Sequence, residues 1–120
     1  MPDLQPVFDA IRPFYARHAD RGVVTDDRDG VYYIGTNEVR EKDGYRTQFG
    51  GVEIKKNYVS AHLTPVYVHP DLLSDVSAGL KKHMQGKSCF NFKTVDPDQF
   101  SELGALIERG MRRFEADGRF

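Results

Sequence analysis

The residues best suited to chemistry lie in the middle of the chain, between positions 54 and 93. This segment contains Cys89, the only cysteine of the sequence, and three of the four histidines, His62, His69 and His83. Nucleophilic catalysis by cysteine needs a nearby base or cation, because the thiolate is the reactive species. Cys89 with His62 or His83 as its base is therefore one candidate site. The alternative is that this cysteine is a small apolar residue of the core.

The same residues do not have the spacing of a metal site. The three histidines are not two or four positions apart on one element, so a mononuclear centre would need Cys89 or a carboxylate brought in by the fold. Asp26, Asp27 and Asp29 cluster in a turn-like stretch, where turn chemistry explains them without a hard cation. We therefore expect no cofactor and leave any metal ligand unassigned.

Charge is distributed unevenly along the chain. The 120 residues carry a net charge of −1, which gives no general attraction to nucleic acid or to an anionic membrane. Residues 54–93 contain six lysines and two acids, a local charge of +4. These lysines lie near Tyr58 and Tyr67, a combination that suits an anionic small molecule. The alternative is that they solvate turns and helix ends.

The run Gly86-Lys87-Ser88 is similar to the end of a phosphate-binding loop. The full motif has a first glycine five residues earlier and lies between a preceding strand and a following helix. Lys81 stands at the position of that glycine, and the predicted elements come in the reverse order. The sequence therefore excludes a nucleotide-hydrolysing loop and leaves a glycine turn whose amides and Lys87 could meet an anion.

Helical periodicity predicts the first and last elements that position these residues. Apolar side chains at helical spacing predict a helix from about Asp3 to His18, capped by Asp3 and kinked or broken at Pro13. The Asp-Pro-Asp-Gln run at 96–99 predicts the start of the last helix, with Asp96 as cap and Gln99 reaching back. Two short helices are predicted between about 70 and 83.

Stretches rich in β-branched and aromatic residues predict five strands. They are Val23–Thr25, Val31–Ile34, Tyr45–Lys55, Tyr58–Val68 and Cys89–Lys93. Short polar or glycine-containing turns separate the first four, which favours an antiparallel meander, and the adjacent glycines at 50 and 51 predict a bulge. The expected order is α-β-β-β-β-α-β-α. This is an α+β fold, one domain over residues 1–120, with helices covering a mostly antiparallel five-stranded sheet.

The sequence also indicates a compartment. It contains no apolar run typical of a signal peptide, and no apolar run reaches the roughly 20 residues needed to span a bilayer. One cysteine excludes a disulfide framework within the chain and suits a reducing environment. We expect a cytoplasmic protein, a monomer or a homodimer, that binds neither membrane nor nucleic acid.

Three segments resemble the YdhG-like bacterial family, a domain family largely of unknown function. They are Lys56-Asn57-Tyr58-Val59-Ser60-x-His62-Leu63-x-Pro65-Val66-Tyr67, Pro70-x-Leu72-Leu73, and Gly86-Lys87-Ser88-Cys89-Phe90-Asn91-Phe92-Lys93. The resemblance runs from Tyr45 to the last helix and implies a helix-covered sheet. Some members are described as frataxin-like iron chaperones, which would imply an acidic ridge on the first helix and the neighbouring strand. The first helix departs from this pattern, because Arg12 and Arg17 accompany its acids.

The specific function is not encoded in a motif, and three predictions remain open. The leading one is a small non-enzymatic domain that binds an anionic small molecule or a protein partner. Its predicted binding residues are Lys56, Tyr58, His62, Tyr67, Lys87, Ser88 and Cys89. The alternatives are a frataxin-like intracellular iron-binding chaperone that uses Asp26 and Asp27, and an enzyme with a Cys/His pair.

Overall fold

The computed structural model describes residues 3–120 and contains one antiparallel sheet with helices packed on one of its faces. The strands are β1 Val23–Arg28, β2 Val31–Val39, β3 Arg46–Ile54, β4 Val59–Leu63, β5 Met84–Gln85 and β6 Cys89–Phe92. The helices are α1 Gln5–Ala16, α2 Thr64–Val68, a 3-10 helix at Pro70–Leu73, α3 Ala78–Lys81 and α4 Pro97–Ala116. Across the sheet the strand order is β1-β2-β3-β4-β6-β5. Over this part of the chain, no helix is both long and apolar enough to cross a membrane.

The α+β fold and the antiparallel sheet confirm the prediction, but the predicted count of five strands is wrong. The sixth strand is β5, which pairs with β6 through Met84↔Phe90 and Gln85↔Cys89. The two strands are joined by a turn in which Gly86 has a φ of +73°. A strand of two residues is too short to show alternation, so its pattern could not be recognised.

The predicted strand Tyr58–Val68 is wrong in its second half. Strand β4 ends at Leu63 and α2 begins at Thr64, with Pro65 in its first turn. Proline is tolerated there because the first N–H groups of a helix have no intrahelical partner. The valines that follow have high strand propensity, but the local chain direction is set by Pro65 and by the packing of Val66 into the core.

Both long helices begin close to the predicted positions and differ in detail. Helix α1 has Leu4 at the cap position instead of Asp3, whose carboxylate accepts a hydrogen bond from the Gln5 N–H at 3.0 Å, and the helix continues through Pro13. At α4 the Asp96 carboxylate accepts from the Gln99 N–H at 3.1 Å, as predicted. The Gln99 side chain does not reach back, because its Oε1 is buried without a partner among the described residues.

The core lies between the helices and one face of the sheet. Helices α1 and α4 contribute Val7, Phe8, Ile11, Tyr15, Leu103, Leu106, Ile107, Met111 and Phe114. The strands contribute Ile34, Phe49, Val52, Val59, Ala61, Leu63, Phe90 and Phe92, all essentially inaccessible. On β4 and β6 these residues alternate with more polar ones, so the opposite face of the sheet carries polar side chains.

Two adjacent glycines bring β3 close to both neighbouring strands. A Cβ atom at Gly50 would lie 2.3 Å from the His62 carbonyl oxygen, and one at Gly51 would lie 2.2 Å from the Tyr32 carbonyl oxygen. Next to them the register shifts from Ile34↔Gly50 to Gly35↔Gln48, which leaves Phe49 as the extra residue of a bulge. The bulge predicted at Gly50-Gly51 thus begins one residue earlier and turns Phe49 into the core.

Replacement of Gly50 tests this close approach. We expect Gly50→Ala to lower the free energy of unfolding by about 1–3 kcal/mol, because the new methyl group meets a backbone carbonyl and not a mobile side chain. Urea denaturation followed by circular dichroism measures the change. Gly79→Ala in α3 is the matched control. Its methyl group meets the end of the Gln99 side chain at 3.1 Å and the Ser77 hydroxyl at 3.8 Å, and no backbone atom, so the free energy of unfolding should change by less than about 1 kcal/mol. Equal stability of the two variants would contradict the proposed constraint.

Candidate functional site

A row of chemically distinctive residues crosses the polar face of the sheet. The cross-strand partners are Tyr33 with Gly51, Gly51 with His62, and His62 with Cys89. Directly opposite residues on neighbouring strands lie about 4.5–5.5 Å apart and share a face. The antiparallel register therefore places one phenol, one imidazole and one thiol in a row across four neighbouring strands, with Gly51 between the phenol and the imidazole.

The absence of a side chain at Gly51 makes room for the Tyr33 ring. A Cβ atom at Gly51 would lie 2.5 Å from Cδ1 of Tyr33, so the ring occupies the space that any other residue would fill. The Tyr33 hydroxyl lies 3.4 Å from Oε1 of Glu53. Burial and the neighbouring carboxylate of Glu53 raise the pKa of Tyr33 to about 12. Tyr33 is consequently a neutral hydrogen-bond donor at physiological pH.

The His62 imidazole contacts three other side chains of the site. Its Nδ1 lies 3.2 Å from the Cys89 Sγ and 3.3 Å from the Ser88 Oγ, and its Nε2 lies 3.3 Å from the Thr64 Oγ1. On the other side of the sheet, the Tyr15 hydroxyl donates to the His62 carbonyl oxygen at 2.9 Å. Burial lowers the pKa of His62 below its ordinary value, so the imidazole is neutral at pH 7.

A cavity of about 460 Å³ opens beside His62. Aromatic rings, hydroxyl groups and one amide form its wall: Tyr33, Tyr45, Thr47, Gln48, His62, Thr64, Tyr67 and Ser88. Among the described residues that line it, none carries a carboxylate. At its edge the Lys87 ammonium lies 5.9 Å from the centre of the Tyr67 ring, a cation–π contact. The cavity thus offers neutral donors, aromatic faces and a cation at its rim.

The structure brings five of the seven predicted binding residues together. His62, Tyr67 and Ser88 line the cavity. Cys89 contacts His62 from the neighbouring strand β6, and Lys87 contacts Tyr67. Lys56 and Tyr58 belong to the turn that leads into β4, at the end of the strand remote from His62. At about 3.3 Å per residue, Tyr58 lies roughly 13 Å from His62 along the strand.

The lysines of the basic central segment do not form one patch. Lys93 follows β6 next to the Val59↔Phe92 pair, at the same end of the sheet as Lys56. Lys87 lies in the turn at the opposite end of β6, and Lys55 forms an ion pair with Glu53 at 2.8 Å. Lys87 is therefore the lysine of the predicted site that stands beside the cavity.

Five residues of the cavity wall were not predicted from the sequence: Tyr33, Tyr45, Thr47, Gln48 and Thr64. Tyr33 carried a usable signal, because it alternates with Tyr32 and Ile34, which face the core. Thr64 is the first residue of α2, directly after the end of β4, so its place in the wall depends on where the strand changes to a helix. The other three lie at or beside the start of β3 and reach the site only through the pairing of β3 with β4.

The acids of the iron hypothesis lie on the edge strand β1. Asp26 is paired with Arg28 at 2.9 Å, and Asp27 with Arg12 at 3.4 Å. Within residues 3–120, no group of three or more His, Cys, Asp or Glu side chains is arranged so that it could hold a metal ion. Both ion pairs are at the surface, and the iron-chaperone alternative stays a prediction from the sequence.

Comparisons with protein-family models, with curated proteins and with solved structures found no match to this chain. The resemblance to the YdhG-like family therefore remains a prediction from the sequence motifs.

Acidification tests the burial of the site histidine. Burial lowers the pKa of both His62 and His18, and the unfolded chain, with an ordinary value near 6.5, binds these protons more readily. The two histidines therefore do not reduce the free energy of unfolding above about pH 6.5. Below that pH the free energy of unfolding falls, by at most about 1.4 kcal/mol per pH unit for each histidine. Urea denaturation between pH 7.5 and 5.5 should show a shallower fall for His62→Gln than for the wild type. Identical slopes would contradict the burial of a neutral His62.

Proposed function

We propose that this protein is a non-enzymatic binding domain, and that its cavity beside His62 binds a small planar molecule with an anionic or hydrogen-bond-accepting group. The observation that carries the proposal is the wall itself. It combines the aromatic faces of Tyr33, Tyr45 and Tyr67 with hydroxyl and amide groups and lacks a carboxylate among its described residues. Concave sites of about 300–1,000 Å³ with a few convergent polar groups are typical of small-molecule sites.

The electrostatics of the cavity favour an acceptor over a cation. Tyr33 is protonated at neutral pH, as an ordinary phenol is, and burial raises its pKa further, to about 12; its hydroxyl can donate a hydrogen bond to a ligand in place of the long contact with Glu53. Thr64 and Ser88 contribute further hydroxyl donors, and Lys87 adds a positive charge at the rim. An anion would therefore find donors on several sides, whereas a cation would find no negative group on the wall.

The position of the site supports binding by a partly preformed surface. Tyr33, Thr47, Gln48 and His62 lie on β2, β3 and β4, and the backbone of His62 is held from the core side by Tyr15. Order in this part of the wall before binding lowers the entropic cost of association, whereas Tyr45 and Tyr67 are exposed side chains outside the strands.

A ligand screen tests this proposal. A panel of aromatic carboxylates and phosphorylated metabolites should contain a compound that raises the melting temperature, because a ligand at 100 times its Kd adds about 2.7 kcal/mol of stability. Gln48→Ala removes a polar group from the wall and should weaken that compound by about three- to tenfold in calorimetry. Gln85→Ala, an exposed glutamine of β5 outside the wall, is the matched control and should bind normally. A panel without effect, or equal loss in both variants, would contradict the proposal.

The contact between Cys89 and His62 favours a second candidate function, thiol-dependent catalysis. A distance of 3.2 Å between Sγ and Nδ1 allows proton transfer from the thiol to the imidazole. Burial works against this candidate, because it lowers the pKa of His62 and so disfavours the imidazolium that would stabilise a thiolate. The second candidate therefore ranks below ligand binding.

Alkylation separates the two candidates. We expect iodoacetamide to modify Cys89 no faster than it modifies free glutathione at pH 7, since the buried imidazole is a weak base. Mass spectrometry of timed samples gives the rate. A rate at least tenfold above that of glutathione, lost in His62→Gln, would instead favour the enzyme.

A further inference from the structure

A second cavity of about 590 Å³ lies on the other side of Tyr67. Helix α2 and the 3-10 helix form one wall with Val66, Pro70 and Leu73, and Met84 of β5 forms part of the other. These four side chains are apolar, in contrast to the hydroxyl-rich wall of the first cavity. The Tyr67 ring borders both cavities, so the two form neighbouring compartments with different chemistry.

The one charged group on the described wall of the second cavity is the Lys87 ammonium. Lys87 makes no ion pair with a carboxylate of residues 3–120 and instead lies over the Tyr67 ring at 5.9 Å. The Lys87 side chain is exposed, and the preceding Gly86 has a φ of +73°. An apolar cavity with a single uncompensated cation at its mouth is complementary to an apolar molecule that ends in one negative charge.

We infer that the second cavity binds an aliphatic monocarboxylate. The carboxylate lies at the Lys87 ammonium, and the alkyl chain packs along Val66, Pro70, Leu73 and Met84. A single compact ammonium matches the one negative charge of a carboxylate, whereas a membrane surface would call for several cations. This inference goes beyond the proposed function, because it concerns a second cavity and a different class of ligand, although both sites use Tyr67 and Lys87.

Calorimetric titration of the full chain with hexanoate, octanoate and decanoate, each below its micelle concentration, tests the inference. We expect the Kd to fall by about two- to fourfold for each added methylene until the cavity is filled, since each buried methylene contributes a constant increment. Octylammonium, which has the same chain and the opposite charge, should not bind. Equal binding of octanoate and octylammonium, or a Kd that does not change with chain length, would overturn the inference.

Matched variants test where the carboxylate and the alkyl chain of octanoate bind. Lys87→Gln should weaken octanoate by about fivefold or more, whereas Lys93→Gln, an exposed lysine next to the end of β6, should leave it unchanged. Met84→Gln keeps the length of the side chain and should reduce the gain per methylene. Circular dichroism melting curves establish that each variant is folded. Equal effects of the two lysine substitutions would overturn the role of Lys87.

Two further results separate this inference from the proposed function and from a macromolecular partner. Gln48→Ala should bind octanoate normally; if it loses octanoate, the chain occupies the first cavity, and the second-cavity inference fails while the first site stands. A peptide that ends in a leucine carboxylate should bind more weakly than octanoate. If it binds more than tenfold more tightly, the cavity is a peptide-docking site and the inference is wrong.

Discussion

The close approach of β3 to its two neighbours at Gly50 and Gly51 is the constraint on which the site depends. Neither position has room for a side chain, because a carbonyl oxygen of a neighbouring strand lies within 2.3 Å of each Cβ position. On the core side, the space at Gly50 is bordered by the Tyr15 ring, whose hydroxyl holds the His62 carbonyl oxygen. On the opposite face, the space at Gly51 receives the Tyr33 ring. The two glycines thus position a tyrosine on each face of β3, next to the strand that carries His62.

This arrangement explains how a small sheet presents a polar cavity without losing its core. Alternation along β4 and β6 sends Ala61, Leu63 and Phe90 toward the helices and His62 and Cys89 toward the other face. The polar groups on that face contact one another, which limits the cost of their partial burial. Burial nevertheless lowers the pKa of His62, so its imidazole is neutral at pH 7, and the carboxylate beside Tyr33 is that of Glu53.

The local parts of the fold were predictable where a single short-range pattern decides the structure. The Asp96 cap of α4, the glycine turns at 30, 44 and 86, and the apolar stripes of α1 and α4 depend on neighbours within one helical turn or one hairpin. The errors occurred where two principles compete. The valines after Leu63 favour a strand, but Pro65 and the burial of Val66 produce a helix. Strand β5 exists because β6 provides a partner, and its two residues show no pattern of their own.

The sequence by itself determined the fold class, the cap of the last helix, the departure of Gly86-Lys87-Ser88 from a nucleotide-hydrolysing loop and the concentration of candidate residues between positions 54 and 93. These conclusions follow from spacing and residue chemistry, which act over a few positions. Only the tertiary structure decided which of the candidate residues meet. It brought His62 and Ser88 together with Tyr33 of β2 and Gln48 of β3, and it left Lys56 and Tyr58 at the far end of β4. The physical reason is register: pairing between strands depends on the bulge at Phe49 and on the contacts of the glycines, and a shift of one residue would turn His62 into the core.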